Sequence, residues 1–502
     1  MTAVDSTAPS NEAATPARSH ADIAETLPYR HVTDFGRGEI GDRDLIEVID
    51  PTTGQAWGSA PVGTPDDVDV AVAAARAALP AWAALRPSDR AEYLRRIADG
   101  IERRAEEIAH TTTLENGAPI AETGGAAMGA ALLLRTVAGL APHFEAPDVR
   151  TIDGVPVESL VRRVPYGVAG LIVPWNYPVH LVVSKLASAL LAGCTVVIKP
   201  APSTPLSVRY VLDAAVEAGL PDGAVTLVTG GNETGEALVR HPGVDKIAFT
   251  GSTAAGRRIA AICGELLRPV TLELGGKSAS VVLPDADLDV VAEQLLPVSL
   301  RNTGQTCFAS TRIIATRENY DRVVDVVAAT VRGLRVGDPL DPATHLGPLA
   351  SSIQRERVMG FVRTGIDEGA RVVLGGDVPP PVEGGAFVAP TVFADVDPGA
   401  RIAQEEIFGP VLTVHVAESI EHAIDIANAT SYGLGGAVFG TDEDAAAAVA
   451  ARIDTGTIGV NGYGGSFLAP FGGRRDSGMG AEFGIEGVSA YLATQTLHRP
   501  AH

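Results

Sequence analysis

The sequence predicts an α/β fold containing two parallel-sheet units, and three observations carry that expectation. Residues 166–263 alternate strand, helix, strand, helix without interruption. Such alternation calls for a parallel sheet covered by helices on both faces. A second cycle of the same kind begins at residue 270 and runs to about residue 374. The chain has 502 residues, enough to bury the cores of two or three domains.

Residues 1–28 are rich in Ala, Ser, Thr, Pro and Glu without apolar periodicity, so they read as a disordered tail. Residues 45–57 (LIEVIDPTTGQAW) read as strand, turn, strand. Residues 64–84 open with a cap, a first-turn proline and acidic residues, then follow helical spacing. Residues 88–115 and 118–141 are further helical runs. Residues 150–164 alternate around Asp153-Gly154, a hairpin signal. The first parallel unit then places strands at 166–173, 195–198, 224–228, 246–249 and 270–274. Its helices fall at 181–192, 207–218, 231–240 and 252–263. The second unit places strands at 280–283, 312–315 and 371–374, with helices at 288–301, 319–334 and 352–368. Residues 488–497 have strand character and no obvious partner.

Composition excludes several functions. Against 39 Lys and Arg stand 61 Asp and Glu, a formal net charge of -22 that repels nucleic acid and anionic lipid. No secretory signal is expected, and the Ala/Leu stretch 126–141 is broken by Arg135, so no membrane span is expected either. Three cysteines form neither a disulfide framework nor a zinc site, which favours a reducing compartment, the cytoplasm. Cys194 and Cys263 lie in core-like contexts. Lysine is confined to Lys185, Lys199, Lys246 and Lys277 in a chain otherwise using arginine, and each survivor sits beside a segment with chemical character.

Those segments are as follows. Residues 300–312 (LRNTGQTCFASTR) set Cys307 on a loop, where a thiol can meet a substrate, although a lone cysteine is more often core. Residues 249–256 (FTGSTAAG) run from strand into helix, and free N–H groups there suit a phosphate. They do not match the GxGxxG fingerprint. Lys199 ends a strand in TVVIKPAPSTP, where an ammonium can bond ribose hydroxyls or phosphate. Asn176 lies on a proline-stiffened loop, VPWNYP, and its amide can donate to an oxyanion. Glu273 ends a strand before two glycines in LELGGKS, a position suited to a general base. Glu405 and Glu406 precede an apolar turn in QEEIFGPV.

Taken in order, VPWNYP, VVIKP, FTGST..G, ELGGKS, GQTC, EEIFGPV and PFGGRRDSG (470–478) resemble the signatures of the NAD(P)-dependent aldehyde dehydrogenase superfamily from about residue 33 onward. The resemblance implies two Rossmann-like domains and a small β oligomerisation element. Residues 29–148 and 165–274 would bind the dinucleotide and 275–470 would be catalytic. Residues 149–164 and 486–502 would form the oligomerisation element of a homodimer or homotetramer. Cys307 would be the nucleophile, Glu273 the base and Asn176 the oxyanion donor. Cofactor contacts would come from Val173, Pro174, Trp175, Lys199, Gly230, Gly251, Ser252, Gly256, Leu274, Glu406 and Phe408. The aldehyde pocket would be lined by Tyr177, Thr306, Phe308, Phe467 and Phe471. No metal is implied. The reaction implied is oxidation of a small-molecule aldehyde to the free acid through a cysteine thiohemiacetal and thioester. Glu273 favours hydrolysis over transfer to coenzyme A.

Two departures bear on specificity. Pro202 stands where NAD-preferring relatives often carry a ribose-binding Glu, which opens the way to NADP. Residues 462–467 (GYGGSF) are glycine-rich, which implies a roomy or mobile substrate entrance. Alternatives to this function are a semialdehyde dehydrogenase of the same fold, which needs a cation for the distal carboxylate, a cysteine hydrolase or thioesterase without redox turnover, and a catalytically silent relative.

Overall fold

Short runs of β-branched and aliphatic residues can be buried on both faces only when helices cover both sides of a sheet. The computed structural model describes residues 19–29, 43–380 and 382–501, and it realises that pattern twice.

The first sheet has six strands in the spatial order Gly478–Met479, Val270–Glu273, Lys246–Thr250, Val168–Ile172, Thr195–Lys199, Val225–Leu227. All neighbours are parallel except Gly478–Met479, which runs antiparallel to Val270–Glu273. The order reverses between Val168–Ile172 and Lys246–Thr250. Ligands of open α/β sheets bind beyond the strand carboxyl ends at such a switch point. Here the two loops leaving it are residues 173–177 and Gly251-Ser252. Helices Pro87–Glu102, Ala126–Gly139, Pro178–Ala192 and Leu206–Glu217 contribute to one apolar cluster; Pro65–Ala83, Asn232–Arg240 and Thr253–Glu265 contribute to a second. Helix Pro178–Ala192 is apolar almost all round and buries Val182, Val183, Leu186, Leu190 and Leu191. Truncating one of these leucines to alanine costs about 2–5 kcal/mol.

The second sheet orders Arg371–Leu374, Thr391–Ala394, Val411–Ala417, Arg312–Thr316, Ala279–Val282, Gly436–Phe439 and Gly459–Val460. It is parallel apart from its outermost strand Arg371–Leu374, which pairs antiparallel. A three-stranded antiparallel sheet, Leu492–Pro500, Val157–Pro165 and Asp148–Thr151, stands apart from both.

Several expectations need correction. The tail expectation for residues 1–18 lies outside the described residues. Ser19, however, caps a helix His20–Thr26 that buries Ile23 and Ala24, and Leu27 follows them into the core. Residues 88–115 form two helices, Pro87–Glu102 and Ala105–Asn116, and 118–141 likewise divides at Gly124-Gly125. The helix expected at 288–301 ends at Leu295 and continues as a wider π turn, Leu296–Leu300. The C-terminal strand is Leu492–Pro500 rather than 488–497, and its partner is Val157–Pro165 of the same chain. Residues 471–485, left outside the expected units, return to the first sheet through Gly478–Met479.

Candidate active site

The thiol sits between the two sheets' loops. After the π turn the chain makes a tight turn, Arg301–Gly304, and enters the Cys307 loop. Cys307 keeps part of its surface accessible, whereas Cys194 and Cys263 are fully buried, as expected of core cysteines. The turn 275–276 packs against this loop: a Cβ on Gly276 would strike the Cys307 carbonyl.

Asn176 is buried at the end of the first sheet's central loop. Its Nδ2 donates to the Gln305 carbonyl at 3.0 Å. An amide NH2 carries two protons, so one remains for a ligand oxygen near Cys307. The loop is held from behind by Asn116, whose Nδ2 donates to the carbonyls of Trp175 at 3.2 Å and Asn176 at 3.1 Å. Asn116 reaches them because helix Ala105–Asn116 stops at Gly117, which is left-handed at φ 78° and pressed against Pro348.

Glu273 ends its strand fully enclosed, with neither carboxylate oxygen hydrogen-bonded. Burial, reinforced by the nearby Glu482 carboxylate and opposed by Lys185, holds its carboxyl well above the usual range. Lys185 donates to Glu482 and, at 2.6 Å, to Thr250 Oγ1; Ser184 Oγ donates to Glu482 at 2.8 Å. Burial, with the Glu406 and Glu273 carboxylates, pushes the Cys307 thiol up to about 12. The free chain therefore holds a protonated thiol at neutral pH.

Dinucleotide-suited groups line the switch point. Ser252 caps helix Thr253–Glu265, its Oγ accepting from Ala255 N at 3.3 Å. Gly251 lies where a Cβ would strike the Phe249 ring, and Gly256 lets the helix close on Leu274. Gly230 turns the chain at φ 146° into helix Asn232–Arg240. Lys199 is buried, its Nζ bonded to the Pro200 carbonyl at 3.2 Å, and burial lowers it to about 8. Gly235 faces its side chain. Glu406 accepts from Gly276 N at 3.1 Å, and burial raises it to about 7. Phe408 stands edge-on to Trp175 at 5.4 Å and adopts φ 63°. Pro174 and Trp175 are part-exposed on the loop between Val173 and Asn176, while Val173 and Leu274 belong to the core clusters. A buried cation with spare donors, the half-buried Glu406 carboxylate and a helix N-terminus facing glycine turns fit a dinucleotide.

Aromatic rings crowd the other side of Cys307. Phe308 stacks on Tyr463 at 4.7 Å and meets Phe471 at 6.4 Å; Phe467 and Phe483 pack edge-on at 5.3 Å. Tyr177 OH pairs with Thr306 Oγ1 at 2.7 Å, and Tyr463 OH with Thr457 Oγ1 at 2.5 Å. His180 faces Phe467 and Phe483, and burial lowers it to about 4, leaving it neutral. Tyr463 belongs to the glycine-rich run 462–467, in which Gly464 and Gly465 have open space around a would-be Cβ.

The sequence reading missed Asn116, Glu122, Asn302, Glu482, His180, Tyr463 and Phe483. One signal did point at Lys185: all four lysines are buried, at 1%, 6%, 2% and 1% exposure for Lys185, Lys199, Lys246 and Lys277. Among the described residues no cluster could hold a metal ion, and no helix is long and apolar enough to cross a membrane.

Two parallel sheets, a part-accessible thiol between them and a dinucleotide-suited switch point define an α/β oxidoreductase. Residues 39–497 match the model of the aldehyde dehydrogenase family, and the chain belongs to that family. It is 49% identical over 455 residues to the geranial dehydrogenase of Castellaniella defragrans, covering 90% of this chain and 94% of that one. It is 39% identical to the phenylacetaldehyde dehydrogenase of Pseudomonas fluorescens, covering 90% and 92%. Among solved structures, a Mycobacterium tuberculosis aldehyde dehydrogenase in complex with NAD+ superposes with a TM-score of 0.90 at 42% identity, covering 94% and 98%.

Proposed function

We propose that this chain oxidises an extended apolar aldehyde to the free carboxylic acid with NAD(P)+, using Cys307 as nucleophile, Asn176 as oxyanion donor and Glu273 as base. The observation that carries the reading is the juxtaposition of the accessible Cys307, the spare Asn176 amide proton and the unpartnered Glu273 carboxyl.

Cys307 gives up its thiol proton to solvent, the thiolate Sγ adds to the aldehyde carbon, and the Asn176 amide with the Cys307 backbone N–H stabilises the oxyanion of the thiohemiacetal. Lys199, Ser252 and Glu406 would hold the dinucleotide, whose nicotinamide supplies the hydride acceptor. An acyl thioester on Cys307 is then left to hydrolyse. Glu273 takes a proton from water, which attacks the thioester and releases the acid and the thiol. The raised Glu273 suits this task, because a base working near neutral pH needs an affinity for protons well above that of an ordinary carboxylate.

The pocket supports an apolar aldehyde. Both tyrosine hydroxyls are turned into protein partners and His180 is neutral. The rings pack stacked, edge-on or tilted against one another, giving the pocket an apolar aromatic wall. Similarity to a geranial and a phenylacetaldehyde dehydrogenase supports the same class. For a semialdehyde, the cation at hand is Arg301, which lies over the Tyr177 ring at 5.7 Å and 3.5 Å from the Glu122 carboxylate. We assign the catalytic and cofactor domains to 275–470 and to 29–148 with 165–274, and a homo-oligomeric, cytoplasmic protein. The test is a panel of terpenoid, aryl, carboxylate-ended and ammonium-ended aldehydes with NAD+ and with NADP+. Highest kcat/KM on the apolar members is expected; preference for a charged end overturns the substrate class.

A further inference from the structure

Three consecutive residues before the Cys307 loop lie in the left-handed region: Asn302 at φ 50°, Thr303 at φ 56° and Gly304 at φ 76°. Glycine adopts this conformation freely and asparagine tolerates it, but a β-branched threonine does not. Such a run persists only where its surroundings over-determine it. Here those surroundings can be named.

Glu122, on the short helix Ile120–Thr123, accepts the Asn302 backbone N–H with both oxygens, at 2.8 and 3.1 Å. The Asn302 side chain then donates to the Asn176 carbonyl at 3.0 Å. Its backbone carbonyl accepts from Gln305 N at 3.0 Å and Gln305 Nε2 at 3.1 Å. The Gln305 carbonyl, in turn, accepts the Asn176 amide at 3.0 Å. The bonds close a ring that ties the Asn176 loop to the Cys307 loop in both directions. Further bonds stake its outer side: Ala350 N donates to Gln305 Oε1 at 3.0 Å and Thr303 Oγ1 to the Gly347 carbonyl at 3.2 Å. Asn302, Thr303 and Gln305 are fully enclosed, so a bond lost here cannot be replaced by solvent.

We propose that Glu122 and Asn302 are positioning residues that hold this left-handed turn and thereby set Cys307 against the Asn176 amide; the proposal rests on the roles assigned to Cys307 and Asn176 above. A carboxylate suits the position because one group must accept a buried backbone N–H while standing beside the Arg301 guanidinium. Neither residue acts on the reacting atoms. Misplacing a catalytic group by about an ångström costs on the order of a hundredfold in rate, so the effect belongs in kcat.

The test uses the full-length enzyme and the variants Glu122→Ala, Glu122→Gln, Asn302→Ala, Asn302→Gly and Cys307→Ala. Four readouts are taken: kcat, KM for aldehyde, cofactor Kd by Trp fluorescence, and the rate of Cys307 alkylation by iodoacetamide. Glu122→Ala is expected to lower kcat by about 30-fold or more, shift the alkylation rate at least about threefold and leave cofactor Kd within about twofold. Glu122→Gln should recover most of the kcat, because its amide oxygen still accepts the Asn302 N–H. Asn302→Gly should exceed Asn302→Ala, because only glycine keeps the turn without strain, yet stay below wild type for want of the amide to Asn176. A wild-type kcat in Glu122→Ala overturns the proposal. So does a loss that Glu122→Gln does not recover and that cofactor Kd follows in equal measure. If Cys307→Ala still oxidises aldehyde, the catalytic reading itself falls; if that variant is inactive while Glu122→Ala is unimpaired, only the positioning role falls.

Discussion

Cys307 combines two properties that pull against each other: it is reachable, yet burial and two carboxylates hold its thiol up to about 12. The nucleophile is the thiolate, so in the free enzyme its fraction rises about tenfold per pH unit across pH 7–9. Iodoacetamide alkylation of Cys307, measured by mass spectrometry, is expected to follow that slope; a flat profile would contradict it. Because the Glu273 carboxylate contributes to the upward shift, Glu273→Gln is expected to leave alkylation equally fast or faster while acid release stops. By the family resemblance Pro202 would face the adenosine end of the cofactor, which offers a second residue-level test. Pro202 contributes no carboxylate against a 2′-phosphate. Pro202→Glu is expected to raise KM for NADP+ by about tenfold and move NAD+ by less than about threefold. Equal changes for the two cofactors would remove Pro202 as a determinant.

At the scale of elements, the N-terminal helix His20–Thr26 shows where composition misleads. Its surroundings in sequence read as tail, but Ile23, Ala24 and Leu27 join a cluster with Val48, Trp57, Leu114 and Leu206. His20 closes the contact through Nδ1 to Asp50 at 2.7 Å and Nε2 to Asp338 at 2.8 Å. Burial alone would lower His20; the hydrogen bonds to Asp338 and Asp50 outweigh it and raise it to about 9. A raised folded value means the charged clasp stabilises docking fully below about pH 6.5 and fades as pH climbs through about 9. Hydrogen exchange of amides 20–27, corrected for intrinsic rates, should therefore lose about tenfold or more protection between pH 7 and pH 10. His20→Gln should abolish that dependence, and unchanged protection at pH 10 would refute the clasp. These two partnerships span 30 and 318 residues, and no local pattern announces them. The five parallel strands of the first sheet were legible because each is a short apolar run between clear helix signals, whereas the two-residue edge strand Gly478–Met479 was not. Strands Thr391–Ala394, Val411–Ala417 and Gly436–Phe439 were passed over; they follow a Pro- and Gly-rich stretch that interrupts the alternation. Cys307, Glu273 and Asn176 were legible from motif order. Asn116, Glu122 and Glu482 were not, because their roles arise from side-chain to backbone bonds made only on folding.

For the whole molecule, the site depends on bringing two separately built sheets together. The first supplies Asn176, Ser252 and Glu273 at its strand ends; the loop of Cys307 and the turn of Glu406 and Phe408 come from the second. The C-terminal chain returns from the second to the first, laying Gly478–Met479 beside Val270–Glu273 and Glu482 near Glu273. The three-stranded sheet and its hairpin turn keep Val149, Ile152, Val155 and Leu497 exposed, and among the described residues no further strand pairs with its outer strands. An apolar, open-edged sheet is an aggregation liability unless another copy covers it. Sedimentation velocity is expected to show a dimer or tetramer, with Val149→Asp/Ile152→Asp shifting it toward smaller species. A monomeric wild type would remove the assembly role from this sheet.

The central claim, that Cys307 carries the acyl group and Glu273 releases it, is tested most directly by a single-turnover experiment on Glu273→Gln. Mixed with an apolar aldehyde and NAD+, the variant is expected to give one burst of reduced nicotinamide per site, almost no further turnover, and an acyl mass adduct on Cys307. Steady turnover near the wild-type rate, or a burst without an adduct on Cys307, would contradict it.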